Sequence, residues 1–276
     1  MMNHNAVLFA TDLSARCDRP FDRALMLAQD WKVKLILLHV IDPETVKNPS
    51  FNLHDIEAKI AGQLPETRVN IEILVKRGDI AANIIKTAQS EKCDVIVTGV
   101  ARYNSISDIL LGGPVDQLIR NAPVPVLIVK RKPRHAYKNI VIATDFSDCS
   151  LQALTTAAEL FPEPGLHLVH AYHEPYSAWL GSDQFVKDVK SEEQKELARF
   201  LAKPLIADPV FDRLNASIEK GDLAAVLFRK IGATQSDLVV MGTHGRGALS
   251  RATLGSNAQH VLGWVDEDVL IVRERK

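Results

Sequence analysis

Cysteine is scarce in this chain, and its copies are scattered. Cys17, Cys93 and Cys149 form no CxxC pair and leave an odd thiol, which argues against a disulfide framework or a zinc ribbon and for a reducing compartment. Long apolar runs are missing, since no stretch approaches the ~18 residues that a membrane span needs. Met1-Met-Asn-His-Asn5 shows no basic region followed by an apolar core, so a secretory signal is not expected and the cytoplasm is. Charge of one sign is missing too. Lys and Arg number 33 against 34 Asp and Glu, a net charge of −1, so no overall field favours nucleic acid or an anionic membrane. G-x4-G-K-[ST], G-x-G-x-x-G, G-x-S-x-G and H-E-x-x-H do not occur, which removes the main signals for a P-loop NTPase, a dinucleotide dehydrogenase, a serine hydrolase and a zinc protease. What remains is an ordinary globular composition, 46% hydrophobic and 24% charged, able to bury a full core.

Against that background one stretch stands out. Residues 242–257 read Gly242-Thr-His-Gly245-Arg-Gly-Ala-Leu-Ser-Arg-Ala-Thr-Leu-Gly255-Ser256-Asn257. A buried-strand pattern, Asp237-Leu-Val-Val-Met241, precedes it, and a helical start, Ala258-Gln-His-Val-Leu262, follows. A glycine-bearing loop between a strand end and a helix start offers backbone N–H groups and a positive helix terminus to a polyphosphate. At average glycine frequency this G-x2-G-x9-G-[ST] pattern arises by chance in roughly one such chain in a hundred.

The chain is also written twice. Ala6–Ser14 repeats as Ile140–Ser147, Lys34–His39 as Leu166–His170, Asp94–Gly99 as Asp237–Gly242 and Val126–Val129 as Val269–Val272. From Gly78, matched by Gly221, the offset stays at 143, and the second copy carries its extra residues around 175–210. Two domains are expected, 1–131 and 138–276. Strands are predicted near 6–11, 34–40, 69–76, 94–99 and 125–130, then near 138–144, 165–172, 213–219, 237–241 and 268–273. Helices are predicted over Cys17–Trp31, Ile80–Ser90 and Leu223–Thr234 and from near Cys149. The strands are apolar on both faces and alternate with helices, which implies two tandem doubly wound α/β domains with parallel sheets. Such sheets bind ligands beyond the carboxyl ends of their strands. The connector Lys130-Arg-Lys-Pro-Arg-His-Ala-Tyr137 reads as a solvated, proline-broken linker.

Asp145 follows the second copy's first strand. It reads equally well as an acceptor for a ligand's amino or hydroxyl groups and as a helix N-cap, since Ser147-Asp148 offers an alternative cap; Asp12 poses the same choice. Ser256 offers a hydroxyl and an N–H, and Arg246 and Arg251 offer positive charge. His244 reads as a contact rather than a general base, because no nucleophile or orienting group stands at a fixed spacing from it. The first copy departs from the pattern. It keeps Gly99 and Gly112 but has Arg102 at the middle position, Gly113 at the hydroxyl position and then Pro114, which has no N–H to donate. Its loop Tyr103–Leu111 carries Asp108 and no arginine, so poor triphosphate binding is expected there. His167, His170 and His173 recur every third residue, but alternation puts neighbours on opposite faces, which speaks against a shared metal.

With these residues in view, the chain resembles the universal stress protein family in its tandem, E-type form. The resemblance rests on Ile140–Ser147 and on Gly242–Asn257, which matches the family's ATP-binding pattern at every required position. It implies a five-stranded parallel sheet in 3-2-1-4-5 order in each domain, tight pairing of the two domains within the chain, and room for a homodimer. It places adenine near Asp145 and the backbone around Ala171, with ribose and phosphates along Gly242, Gly245, Gly255, Ser256 and Asn257. Ala143, Thr144, Met241, His244 and Arg246 complete the expected contacts. The ligand expected is ATP or ADP, with or without Mg²⁺, acting in stress response through ligand- or partner-coupled regulation; the alternative is a slow ATPase or a phosphoryl- or nucleotidyl-transferring enzyme. Neither membrane nor nucleic acid is expected as a partner. The family's proline-bearing entry to the last strand, kept as Pro123-Val-Pro125, becomes Val265-Asp-Glu-Asp268 in the second copy, which leaves the mode of dimerisation open.

Overall fold

The structure, a computed structural model, describes residues 4–42, 52–100, 113–172, 183–245 and 255–274, with side chains of the helix beginning at 183 described from 189 onward. In chain order the first copy runs β1 (Ala6–Thr11), a 3-10 turn (Ala15–Cys17), α1 (Asp18–Trp31), β2 (Lys34–Ile41), α2 (Leu53–Ala61), β3 (Ile71–Arg77), α3 (Ile80–Ser90), β4 (Val95–Gly99), α4 (Pro114–Asn121) and β5 (Val126–Val129). The second runs β6 (Asn139–Ala143), α5 (Asp148–Leu160), β7 (Gly165–Tyr172), α6 (Asp183–Leu201), α7 (Asp208–Phe211), β8 (Leu214–Lys220), α8 (Leu223–Thr234), β9 (Leu238–Gly242), α9 (Ser256–Trp264) and β10 (Asp268–Val272). Every predicted strand is present within two residues of its expected ends.

The chain divides into two compact units, residues 1–136 with 268–271, and 137–267 with 272–276. In the first, β3, β2, β1, β4 and β5 lie side by side in that order and parallel, the 3-2-1-4-5 arrangement. Beyond β5, the segment Val269–Ile271 of β10 adds an antiparallel edge, with Leu270 opposite Leu127. In the second unit β8, β7, β6 and β9 repeat the 3-2-1-4 order, all parallel. Val272, the tip of β10, receives the Thr243 N–H at 3.0 Å beside the end of β9. The middle strands are sealed on both faces. Ile140, Val141 and Ile142 are 0% exposed, as are Val95–Val97. Each such side chain contributes about 1.5–3 kcal/mol by leaving water. Helices cover the faces, α1 on β1 and β4, and α5 on β9 and β6.

Three features differ from the sequence expectation or were not specified by it. The helix foreseen over Cys17–Trp31 begins as a 3-10 turn at Ala15–Cys17 and becomes α-helical at Asp18. Of the acidic stretch whose effect the sequence left open, Asp266 is exposed while Glu267 and Asp268 are buried. Asp268 Oδ1 accepts the backbone N–H groups of Lys130 and Arg131 at 2.9 and 3.1 Å, and Oδ2 lies 3.4 Å from Nε of the buried Arg23. The connector is therefore tied by its backbone even though Arg131, Lys132 and Arg134 expose their side chains. Finally, the extra residues around 175–210 include a 19-residue helix, α6, which periodicity had not picked out.

The three thiols are free. Burial first, then the neighbouring Glu91 and Asp94, push the Cys93 thiol up to about 12, so it is inert at neutral pH. Among the described residues no helix is long and apolar enough to cross a membrane.

Candidate nucleotide site

The turn after β6 is built from its own side chains. Thr144 Oγ1 accepts the Phe146 N–H at 2.9 Å, and Asp145 Oδ1 accepts the Ser147 N–H at 3.1 Å. These bonds stabilise Phe146 in the left-handed region, at φ 62°. Ser147 then caps α5, its Oγ accepting the Ser150 N–H at 3.2 Å. The choice the sequence left open is resolved: the cap belongs to Ser147, and Asp145 directs Oδ2 elsewhere. The first copy repeats the design, with Thr11 Oγ1 accepting from Leu13, Asp12 Oδ1 from Ser14, and Leu13 at φ 58°.

Oδ2 of Asp145 lies against Gly245. A Cβ on that glycine would stand 2.5 Å from it, so any side chain there would have to displace the carboxylate. Gly242 is needed for a different contact, because its Cβ would meet Cys149 Sγ at 2.7 Å and the Cys149 carbonyl at 3.2 Å. The loop that starts there returns to its origin, the Gly255 N–H donating to the Thr243 carbonyl at 2.9 Å. The glycines at 242, 245 and 255 are thus brought to one end of the sheet beside Asp145, the carboxyl end of β6 and β9. Thr243 is buried, and its Oγ1 lies 2.7 Å from His244 Nδ1. Sequence reasoning missed the Thr243–Gly255 clamp and the Cys149 wall behind Gly242. Neither has a spacing signal, since both join residues distant in the chain or identical to ordinary core choices.

The helix after the loop is open at its start. Caps on α3, α5 and α8 are supplied by Asp79, Ser147 and Asp222, whereas α9 begins after Gly255 with no side-chain cap among the described residues. Its first N–H groups and the positive end of its dipole face the loop. Ser256 and Asn257 are exposed at that end, Ala143, Thr144 and Met241 are buried in the strands behind it, and Ala171 is half-buried on β7. Arg246 and Arg251 lie outside the described residues.

In the first copy α4 begins after Gly113, held at φ 84°, and its first residue is Pro114. Where α9 presents an N–H, α4 has none. Arg102, Gly112, Asp108 and the rest of Tyr103–Leu111 lie outside the described residues. Asp12 stays exposed, bonded within its own turn. Burial alone would raise its carboxyl, but hydrogen bonds from Ser14 and Cys17 and the nearby Arg16 guanidinium outweigh it and hold it at about 2.

His167 and His170 point to opposite faces of β7, as alternation requires. His167 Nε2 lies 3.3 Å from Asn139 Oδ1, while His170 turns to the Thr144 carbonyl; His173 lies outside the described residues. Among the described residues no cluster of His, Cys, Asp and Glu could hold a metal ion.

Comparison with known proteins bears on both copies. A model of the universal stress protein family matches residues 3–130 and 136–273. A universal stress protein of Mycolicibacterium smegmatis is 25% identical over 298 residues, covering 98% of this chain and 97% of its own. One from Thermus aquaticus is 34% identical over 140 residues, 50% of this chain and 99% of its own. Among solved structures, a universal stress protein from Archaeoglobus fulgidus superposes with a TM-score of 0.64 at 22% identity, over 98% of this chain and 96% of its own. A Pseudomonas aeruginosa protein described as functionally unknown reaches 0.71 at 21% identity, over 98% and 92%. At these identities the structures speak to the fold alone.

Proposed function

The chain belongs to the universal stress protein family, and from that premise we propose that its second domain binds one adenine nucleotide, ATP or ADP, at the carboxyl end of β6 and β9. The observation that carries this reading is the approach of Gly245 to Asp145 Oδ2, so close that a Cβ would push the carboxylate aside, beside the uncapped start of α9. The carboxylate accepts from the base or ribose. The loop and helix N–H groups of Gly242, Gly245, Gly255, Ser256 and Asn257 receive the phosphates, with Arg246 adding charge. Ala143, Thr144, Ala171 and Met241 form the wall, and His244 a lateral contact. The first domain, with Pro114 at its helix start, holds no triphosphate and serves as a structural partner.

The protein works in stress response as a nucleotide-coupled regulator in the cytoplasm rather than by turnover. Donors face the phosphates, and although His244 Nδ1 lies 2.7 Å from the buried Thr243 Oγ1, its Nε2 meets no hydrogen-bond partner among the described residues; positioning without an activated nucleophile yields little rate.

Calorimetric titration of the whole chain with ATP and ADP, with and without Mg²⁺, tests the reading. One saturable site per chain is expected. A folded protein that shows no saturable binding refutes it, two equivalent sites refute the assignment of the first domain, and a kcat well above about 1 s⁻¹ replaces the regulator with an enzyme.

A further inference from the structure

Duplication supplies an internal control for the turn that carries Asp145. In each copy a histidine near the end of the second strand donates from Nδ1 to the carbonyl of the threonine in that turn, His39 to Thr11 at 2.9 Å and His170 to Thr144 at 2.8 Å. Beyond that bond the copies part. Leu13, in the left-handed position of the first turn, is 45% exposed. Phe146, its counterpart, is 4% exposed, stacked on the His170 ring at 4.2 Å and against Phe200 of α6 at 5.6 Å. His170 Nε2 also meets Glu193 Oε2 of α6 at 3.2 Å. Among the described residues no carboxylate pairs with His39.

We propose that α6 is a proton-controlled latch on the Thr144–Ser147 turn, engaged when His170 is protonated on both ring nitrogens and released when one proton leaves. The reason is donor arithmetic. A carbonyl and a carboxylate only accept, so both bonds together require N–H on Nδ1 and on Nε2. A neutral ring has one proton for two acceptors, so it must give up one of the two bonds and turn a bare lone pair toward either Glu193 or the Thr144 carbonyl. That contact is then repulsive. α6 then keeps the packing of its buried Phe200, including the contact with Phe146, and just beyond its end the exposed pair of Lys203 with Asp148 at 2.6 Å, the pair worth at most about 1 kcal/mol.

The other charged groups nearby are otherwise engaged. On α6, Glu196 pairs with Arg199 and Glu192 with Lys195. Asp145 accepts from the Ser147 N–H. Glu219 of β8 is in register with Ala171 and pairs with Lys230, on the sheet face opposite His170. Glu193 is thus the carboxylate that senses the ring. The latch itself needs no ligand; only its output, a change in nucleotide affinity through Asp145, rests on the function proposed above.

Hydrogen exchange of the α6 amides in the full chain, corrected for intrinsic rates, tests the latch at about pH 5.5 and about pH 8.5, which bracket imidazole titration. Wild-type protection over 189–201 is expected to fall at least tenfold at the higher pH. Glu193→Gln can donate its amide to the bare Nε2 of a neutral ring, so its protection should be nearly the same at both. A flat wild-type profile overturns the proposal, as does Glu193→Gln that keeps the wild-type pH dependence. ATP affinity, measured in parallel, should fall several-fold at the higher pH in wild type and stay level in Glu193→Gln. If α6 releases while affinity does not move, the coupling to Asp145 is wrong. If α6 follows the expected pattern and no ATP binds at either pH, the latch stands and the nucleotide assignment fails.

Discussion

Arg23 and Asp268, 245 positions apart in the chain, meet in a buried ion pair, guanidinium Nε to carboxylate Oδ2 at 3.4 Å, with side chains 6% and 1% exposed. The pair joins α1 to the first residue of β10, and the same carboxylate holds the backbone of Lys130 and Arg131. With Arg23 removed, the buried carboxylate keeps the Lys130 and Arg131 N–H groups but loses the guanidinium that faces it, with almost no access to water. Arg23→Met should lower unfolding stability by about 3–5 kcal/mol, read from urea midpoints. The double variant Arg23→Met/Asp268→Asn keeps the acceptor for both N–H groups and removes the buried charge, so it should recover most of the loss. If the double variant is no better than the single, the pair is not the source of the effect.

Glycine substitutions separate the site from the scaffold. Gly245→Ala places a Cβ 2.5 Å from Asp145 Oδ2 and should weaken ATP binding at least tenfold in calorimetry while the fold persists, because the carboxylate must swing away. Gly232→Ala in α8 meets nothing within 4 Å. It should raise stability by about 0.5–1 kcal/mol, the entropy of glycine in a helix, and leave ATP affinity unchanged. Equal affinities in the two variants would remove the geometric case for Gly245.

Acid should discriminate between Asp12 and its isosteric amide. With its folded-state value held at about 2, below the ordinary carboxylate range, Asp12 contributes stability that is present above about pH 4 and lost as pH falls toward 2. Asp12→Asn keeps the turn and drops the charge. The stability gap between wild type and variant should be largest at neutral pH and close between about pH 4 and 2. Asp12 is exposed, so solvent screening keeps the gap within about 1 kcal/mol. A gap that stays constant down to pH 2 means that the ionised form is not what matters.

Local chemistry made much of this molecule readable in advance. Strands buried on both faces declare themselves by unbroken β-branched runs, and the T-D-x-S turns at Thr11–Ser14 and Thr144–Ser147 close through bonds two residues long, so both are written in consecutive residues. The glycine spacing at 242, 245 and 255 was visible too, as a pattern between a strand and a helix, although what each glycine makes room for (Cys149, the Asp145 carboxylate and the Thr243 carbonyl) is not adjacent to it in the chain. α6 escaped notice because its polar face is dominant and its anchoring residues, Glu193 and Phe200, have meaning only against His170 and Phe146.

Sequence alone determined the duplication, the positions of the strands in each copy and the glycine spacing at 242, 245 and 255, because period, composition and turn chemistry act over a few residues; the strand order was implied only by the family resemblance. Tertiary structure alone decided that Ser147 rather than Asp145 caps α5, that Gly245 must yield its side chain to a carboxylate a hundred residues earlier, and that Asp268 is buried against Arg23. Those outcomes depend on which surfaces meet after folding, where desolvation makes an unpaired charge or a misplaced methyl costly, and no window of neighbouring residues contains that information.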